Sequence, residues 1–197
     1  MPRLLLATSN PGKLLELRSL LAGLPLEIAT PAELCLNLQV PETGATYAEN
    51  AALKARAFAA ASGLPSLADD SGLEVEALGG APGLHSARFV PQPGASDADR
   101  RTRLLQALAN HPQPWLATFR SAICLALPNG ETYFTEGICT GEIIPEERGT
   151  GGFGYDPIFL LAGLGRTMAE LSLEEKNQVS HRARAIGKIK QILKEQL

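Results

Sequence analysis

Apolar residues along the chain alternate between short continuous runs and runs that repeat every three to four positions, so strands and helices take turns from the start. Leu4-Leu5-Leu6-Ala7 is a continuous run of the kind buried on both faces of a sheet. Thr8-Ser9-Asn10-Pro11-Gly12-Lys13 follows at once. Asn10 is a good N-cap, and Pro11 falls at the first helical position, where its missing N–H costs nothing. Leu14, Leu17, Leu21 and Leu24 then recur at helical spacing until Gly23-Leu24-Pro25 closes the helix. Leu26 to Ala29 reads as a second strand, and Pro41 to Gly44 as a turn or loop. Thr46 with Glu49 matches a capping box for an alanine-rich helix running to Ser62-Gly63, whose small side chains imply close packing.

Leu64 to Ala68 leads into Asp69-Asp70-Ser71-Gly72, and Leu73 to Leu78 alternates like a strand. Gly79 to Gly83 reads as loop, Ser96 to Asn110 as a helix with Leu104, Leu105 and Leu108 on one side. Phe119 to Leu127, the turn Pro128-Asn129-Gly130, and Glu131 to Ile144 form a long hairpin, with a bulge expected at Gly141. Gly149 to Pro157 is a glycine-dense loop, Ile158 to Leu161 a further strand, and a helix from about Ser180 ends the chain with Ile186, Ile189, Ile192 and Leu193 inward. The pattern predicts an α/β protein with a mixed sheet, formed by residues 1–197 as one domain.

Composition narrows the function rather than the fold. With 18 lysine and arginine against 21 aspartate and glutamate, the net charge of −3 argues against a dedicated nucleic-acid binder. No apolar run reaches the length of a membrane span, and the first residues are too short for a signal peptide. Cys35, Cys124 and Cys139 are widely spaced and odd in number, which fits a reducing cytoplasm.

Five segments carry candidate chemistry. The turn Thr8 to Lys13 offers hydroxyls, an amide, an ammonium and the positive end of a helix to an anion; the same residues also make a well-capped helix with Lys13 at the surface beside Glu16. Asp69 and Asp70 would point to opposite faces of an extended backbone, and their hard oxygens suit Mg²⁺; an acidic turn is the alternative. Asn50 and Lys54 share a helix face that suits a polyphosphate, whereas Glu42 on local grounds is a solvated loop residue. Phe153 and Tyr155 among glycines suit stacking on a base, with Asp156 as an acceptor; the alternative is a mobile loop with Phe153 in the core. Lys176 and Ser180-His181-Arg182 offer donors near a helix start, although Ser180 as a plain cap with His181 and Arg182 in solvent is the simpler local reading. Arg100, Arg101 and Arg103 read as the wet face of a helix, and the histidines lack zinc spacing.

Taken in order, these motifs resemble one family. Ala7-Thr8-Ser9-Asn10-x-x-Lys13-x-x-Glu16, Glu42-Thr43-Gly44, Glu49-Asn50-Ala51-x-x-Lys54-Ala55 and Ala68-Asp69-Asp70-Ser71-Gly72-Leu73 come first. Gly79 to Gly83, Gly149 to Phe159, Glu175-Lys176 and Ser180-His181-Arg182 follow. The chain resembles, over essentially its whole length, the bacterial inosine triphosphate pyrophosphatases, also named dITP/XTP pyrophosphatases. The resemblance implies an elongated mixed sheet flanked by helices, with two lobes around a cleft, in a cytoplasmic homodimer. It implies Mg²⁺-dependent hydrolysis of ITP, dITP or XTP to the monophosphate and pyrophosphate, which clears deaminated purines from the nucleotide pool. By matching positions, Thr8, Ser9, Asn10 and Lys13 would hold the triphosphate, and Lys54 and Ser71 would bind the substrate. Asp70 would be the base and, with Glu42, a metal ligand. Phe153, Gly154, Tyr155, Asp156, Lys176, His181 and Arg182 would surround the purine. A Maf-like pyrophosphatase would lack the Gly149–Pro157 loop and the Ser180-His181-Arg182 ending. A sensor without catalysis would gain nothing from Asp69-Asp70 beside a triphosphate.

Overall fold

The computed structural model describes residues 1–197. Its elements run β1 (Arg3–Leu6), α1 (Pro11–Leu21), β2 (Glu27–Ala29), α2 (Tyr47–Ser62), β3 (Ser66–Val75), α3 (Asp97–Leu108), β4 (Trp115–Ala126), β5 (Thr132–Ile143), β6 (Phe159–Leu161), α4 (Leu173–Val179) and α5 (His181–Gln196). The strands form one mixed six-stranded sheet in the order β2-β1-β3-β4-β5-β6. β1 pairs in parallel with β2 and β3, and β5 pairs antiparallel with β6. The chain divides into two compact units, residues 1–70, 121–137 and 182–197 in the first and 71–120 and 138–181 in the second.

In the first unit the period-two alternation of strands decides which helix each residue meets. Leu4, Leu6, Leu67, Ile123 and Leu125 pack with Leu17, Leu20 and Leu21 of α1 and with Ile186, Ile189 and Leu193 of α5. Leu5, Ala7, Ala29, Ala68, Cys124 and Ala126 face the other way, against Ala51, Ala52, Ala55, Phe58 and Ala59 of α2. The continuous run at residues 4–7 is thus buried on both faces, and the alanines of α2 lie against equally small strand residues. Burial pushes the Cys124 thiol up to about 12, so it stays a neutral apolar side chain. The second unit has one core, built from Leu73, Val75, Leu104, Leu108, Trp115, Phe119, Tyr155, Phe159 and Met168 among others.

Several local expectations are corrected. Asp69 to Gly72 is not an acidic turn but the middle of β3, which is buried along most of its length. The alternation after Gly72 ends at Val75, because residues 76–78 turn and Gly79 and Gly80 adopt φ of +63° and +90°. Thr46 caps α2 by accepting from Glu49 N, but the Glu49 carboxylate accepts from Ala45 N, one residue before the box position. The short helix α4 was not expected: Ser172 and Glu175 form a full capping box, yet seven residues are too few for an apolar stripe.

Towards β6, Gly141 stands in continuous register with Leu161, and a Cβ there would lie 2.2 Å from Leu160 O and 2.9 Å from the Phe159 ring. Gly141→Ala is therefore expected to destabilise the fold by about 1–3 kcal/mol through overpacking. Gly187→Ala, on α5 with nothing within 4 Å, is expected to stabilise it by about 0.5–1 kcal/mol. Urea unfolding of both variants checks the pair; equal shifts would contradict the packing account of Gly141.

Candidate functional site

Two clusters of charged side chains, one in each unit, stand out. The first begins at the turn between β1 and α1. Thr8 Oγ1 accepts from Asn10 N at 3.2 Å, and Asn10 Oδ1 accepts from Lys13 N at 2.9 Å, so the turn is rigidly capped with Pro11 at its helical start. Lys13 does not pair with Glu16 at the surface. Its ammonium lies 2.8 Å from Asp69 Oδ2, while Glu16 is buried and pairs with Arg182.

The strand alternation explains the adjacent carboxylates. Asp69 lies on the Leu67 side of β3, towards α1 and α5, and Asp70 on the Ala68 side, towards α2. Asp69 accepts from Arg182 Nη2 at 3.0 Å and from Ser121 Oγ at 2.5 Å, besides pairing with Lys13. Burial alone would push the Asp69 carboxyl up; Arg182 and Lys13 beside it hold it well below the usual carboxylate range. Burial lowers the Lys13 pKa, with Asp69 opposing and Lys54 and Arg182 adding to the fall.

Asp70 meets α2 instead. Lys54 Nζ donates to Asp70 Oδ1 and to Glu42 Oε1, each at 2.9 Å, and to Asp69 O at 3.0 Å. Lys13 Nζ reaches that same carbonyl oxygen at 3.3 Å. Two ammonium groups from different helices therefore meet on one oxygen, a repelling arrangement that suits a polyanion. Burial would lower the Lys54 pKa, but Asp70 and Glu42 outweigh it and the net shift is upward. Glu42 is accordingly not a solvated loop residue. Its loop is held by Asn50, one turn before Lys54, whose Oδ1 accepts from Gly44 N at 2.8 Å. Only glycine fits there, since a Cβ on Gly44 would lie 2.6 Å from that of Glu49.

The donor set bears on a metal ion. Glu42 and Asp70 converge on the single cationic point occupied by the Lys54 ammonium, and no group of three or more His, Cys, Asp or Glu is arranged to enclose an ion. Two hard carboxylates fit an ion such as Mg²⁺, which retains waters and takes phosphate oxygens.

The second cluster is the glycine-dense loop. Asp156 is buried and accepts from Phe153 N at 2.8 Å, while Lys176 Nζ lies 2.5 Å from the same carboxylate oxygen, Oδ2. That ammonium is 5.1 Å from the centroid of the Phe153 ring. Asp156 thus joins Phe153 and Lys176 inside the protein, rather than standing as an open acceptor. Tyr155 belongs to the core, with its hydroxyl donating to Ser86 O at 2.9 Å. Two of the glycines serve the loop itself: a Cβ on Gly149 would lie 2.4 Å from the Ala169 carbonyl, and one on Gly152 would lie 2.0 Å from Asp156 Oδ2.

Ser180, His181 and Arg182 are all buried, so the solvated reading of this segment is overturned. The three are not one cluster. His181 stacks on Phe119 in the second unit, with centroids 4.8 Å apart and rings 11° from parallel, whereas Arg182 pairs with Glu16 and Asp69 in the first. Ser9 and Asn10 are exposed, and Thr8 and Ser71 are half-buried. Ser121 escaped the sequence reading because a serine within a strand carries no local signal. Arg101, read as solvated, forks onto Glu147 and donates to Gly154 O; its spacing from Asp97 was the available clue.

A family model described as the Ham1 family matches residues 4–192. The chain is 50% identical over 192 residues to a protein of Symbiobacterium thermophilum named dITP/XTP pyrophosphatase, covering 94% of this chain and 92% of that one. It is 47% identical to a protein of the same name from Geobacter sulfurreducens, with 96% of each covered. Among solved structures, a HAM1 protein from Coxiella burnetii superposes with a TM-score of 0.88 at 41% identity, covering 99% of this chain and all of that one.

Asp69 contributes stability above the ordinary aspartate pKa of about 3.9 and loses it as pH falls through its own lower value. Asp69→Asn, which removes one charge of a buried cluster, is expected to cost about 3–5 kcal/mol at pH 7. The gap between wild type and variant should narrow as pH falls below 4, read by urea unfolding at a series of pH values. A gap that stays constant at low pH would contradict the ion-pair account.

Proposed function

The chain belongs to the Ham1 family, and from that membership we propose that it hydrolyses deaminated purine nucleoside triphosphates (ITP, dITP and XTP) to the monophosphate and pyrophosphate. The observation that carries this reading is the meeting of Lys13 and Lys54 on Asp69 O, with Lys54 also gripping Glu42 and Asp70. Two cations and two converging carboxylates are the groups that triphosphate hydrolysis calls for, to neutralise charge and to activate a water.

The chemistry follows from these groups. Thr8, Ser9, Asn10 and the positive end of α1 hold the phosphate end, with Lys13 and Lys54 as cations. Asp70 orients a water and takes its proton as the water oxygen bonds to the α-phosphorus. The bond from that phosphorus to the bridging oxygen breaks, and the electron pair leaves with pyrophosphate. Glu42 and Asp70 would hold Mg²⁺, which supplies charge stabilisation on the phosphate oxygens when bound. Ser71, next to Asp70 on β3, is read as a further substrate contact.

Phe153 offers the aromatic face for the purine, and Lys176 the donor for its 6-keto oxygen. Adenine presents a 6-amino donor at that position, so a buried donor would be left unpaired at a cost of about 1–3 kcal/mol. Gly154, Tyr155, Asp156 and His181 complete this part of the reading. Tyr155 and Asp156 do so from buried positions that fix the loop. Arg182, bonded to Glu16 and Asp69, supports the carboxylate beside Lys13.

The reading extends to residues 1–197 acting as one functional domain, in a cytoplasmic homodimer whose partner is the free nucleotide. A net charge of −3 speaks against a nucleic-acid polymer as partner, and no helix is long and apolar enough to cross a membrane.

Incubation with ITP, XTP, GTP and ATP, with and without Mg²⁺, is expected to release pyrophosphate from ITP and XTP only in the presence of the metal. Orthophosphate as first product, or ATP cleaved as fast as ITP, would sink the reading. Asp70→Asn is expected to keep the fold and lower kcat by about 10²–10⁴-fold. An unchanged rate would remove Asp70 from the mechanism.

A further inference from the structure

The loop that carries Phe153 is held from outside itself. Asp97 and Arg101 lie four residues apart in the first turns of α3 and so share a helix face. Asp97 Oδ2 accepts from Gly154 N at 2.7 Å, and Arg101 Nη1 donates to Gly154 O at 2.9 Å. One residue is thereby gripped at both of its peptide groups by two charged side chains, and such charge-assisted bonds are roughly twice as strong as neutral ones.

Arg101 is itself braced. Its Nε and Nη2 donate to the two oxygens of Glu147 at 2.8 and 2.9 Å, a fork that leaves Nη1 for the carbonyl. Gly154 has φ +64°, and a Cβ there would meet nothing within 4 Å, so glycine is needed for backbone conformation and not for space. The held residue is the immediate neighbour of Phe153, whose other flank, Gly152, also has positive φ, +69°. Asp156 holds the Phe153 N–H, and Lys176 lies beside the ring.

We propose that Asp97 and Arg101, with Glu147 as brace, are positioning residues that fix the Phe153 ring for the purine through the backbone of Gly154. The proposal rests on the preceding reading that Phe153 and Lys176 take the base. Holding the ring in place before the nucleotide arrives removes an ordering cost from binding. The grip therefore acts on recognition of the base and not on the phosphate chemistry.

Asp97→Ala and Arg101→Met are each expected to raise KM for ITP about tenfold, equivalent to about 1.4 kcal/mol. kcat should stay within about twofold, the signature of lost uniform binding. Inhibition by inorganic triphosphate, which carries no base, should not change. Asp97→Asn keeps an acceptor oxygen but not its charge and should have a KM between those of wild type and Asp97→Ala. Amide exchange of the segment 152–155 should quicken in the Ala and Met variants, a readout that does not depend on ITP being the substrate. An unchanged KM and unchanged exchange would overturn the proposal. So would equal weakening towards ITP and triphosphate, or an Asn variant as impaired as the Ala variant. If one variant fails to fold, the other decides. Wild-type protein that does not cleave ITP would sink the preceding reading, while the exchange measurement would still judge the grip.

Discussion

The arrangement in the first unit depends on one buried carboxylate. Asp69 is the point where β3, β4, α1 and α5 exchange charge and hydrogen bonds, through Ser121, Lys13 and Arg182. Arg182 and Glu16 are buried with it, so the loss of any member leaves a charge without compensation in a low-dielectric interior. Such a cluster is not more stabilising than well-packed apolar residues would be. What it contributes is register. A one-residue slip of β3 would set Asp70 against Arg182 with Ser71 towards Lys54, or Asp69 against Lys54 with Ala68 towards Arg182, and either way one of the two pairs would be lost.

That register aims the chemistry. Because Asp69 is committed to α1 and α5, its neighbour Asp70 must face α2, where Lys54 brings it together with Glu42. Two adjacent aspartates thereby avoid repelling each other and take separate roles. The carbonyl oxygen of Asp69 then gathers both lysines, so one residue orders the two ammonium groups with its backbone and the core with its side chain.

The second unit solves a different problem, that of holding an irregular loop in one conformation. Gly149 and Gly152 let the loop pass close to Ala169 and Asp156, and Asp156 and Lys176 tie its interior together. The Asp97–Arg101 grip on Gly154 completes the hold from α3. The glycines are thus explained mainly by the backbone's approach to the protein itself. Tyr155 shows the same economy: it is an aromatic of the loop, yet it serves as core.

Much was legible in local chemistry. Asn10 and Pro11 announced α1, the unbroken apolar run at residues 4–7 announced a doubly buried strand, and the alanines of residues 51–61 announced close packing on the sheet. Each signal is local, because caps, periodicity and side-chain size act within one or two turns. The candidate residues Lys13, Lys54, Asp70, Phe153 and Lys176 were likewise visible by type and spacing. Partnership was not visible. Glu16 with Arg182 and Ser121 with Asp69 are separated by 166 and 52 positions, and Arg101 with Gly154 by 53. The sequence by itself determined which elements form and which chemical groups are on hand. Only the tertiary structure decided which charges meet, because an ion pair is chosen by burial and distance in space, and neither is written in the spacing of residues along the chain.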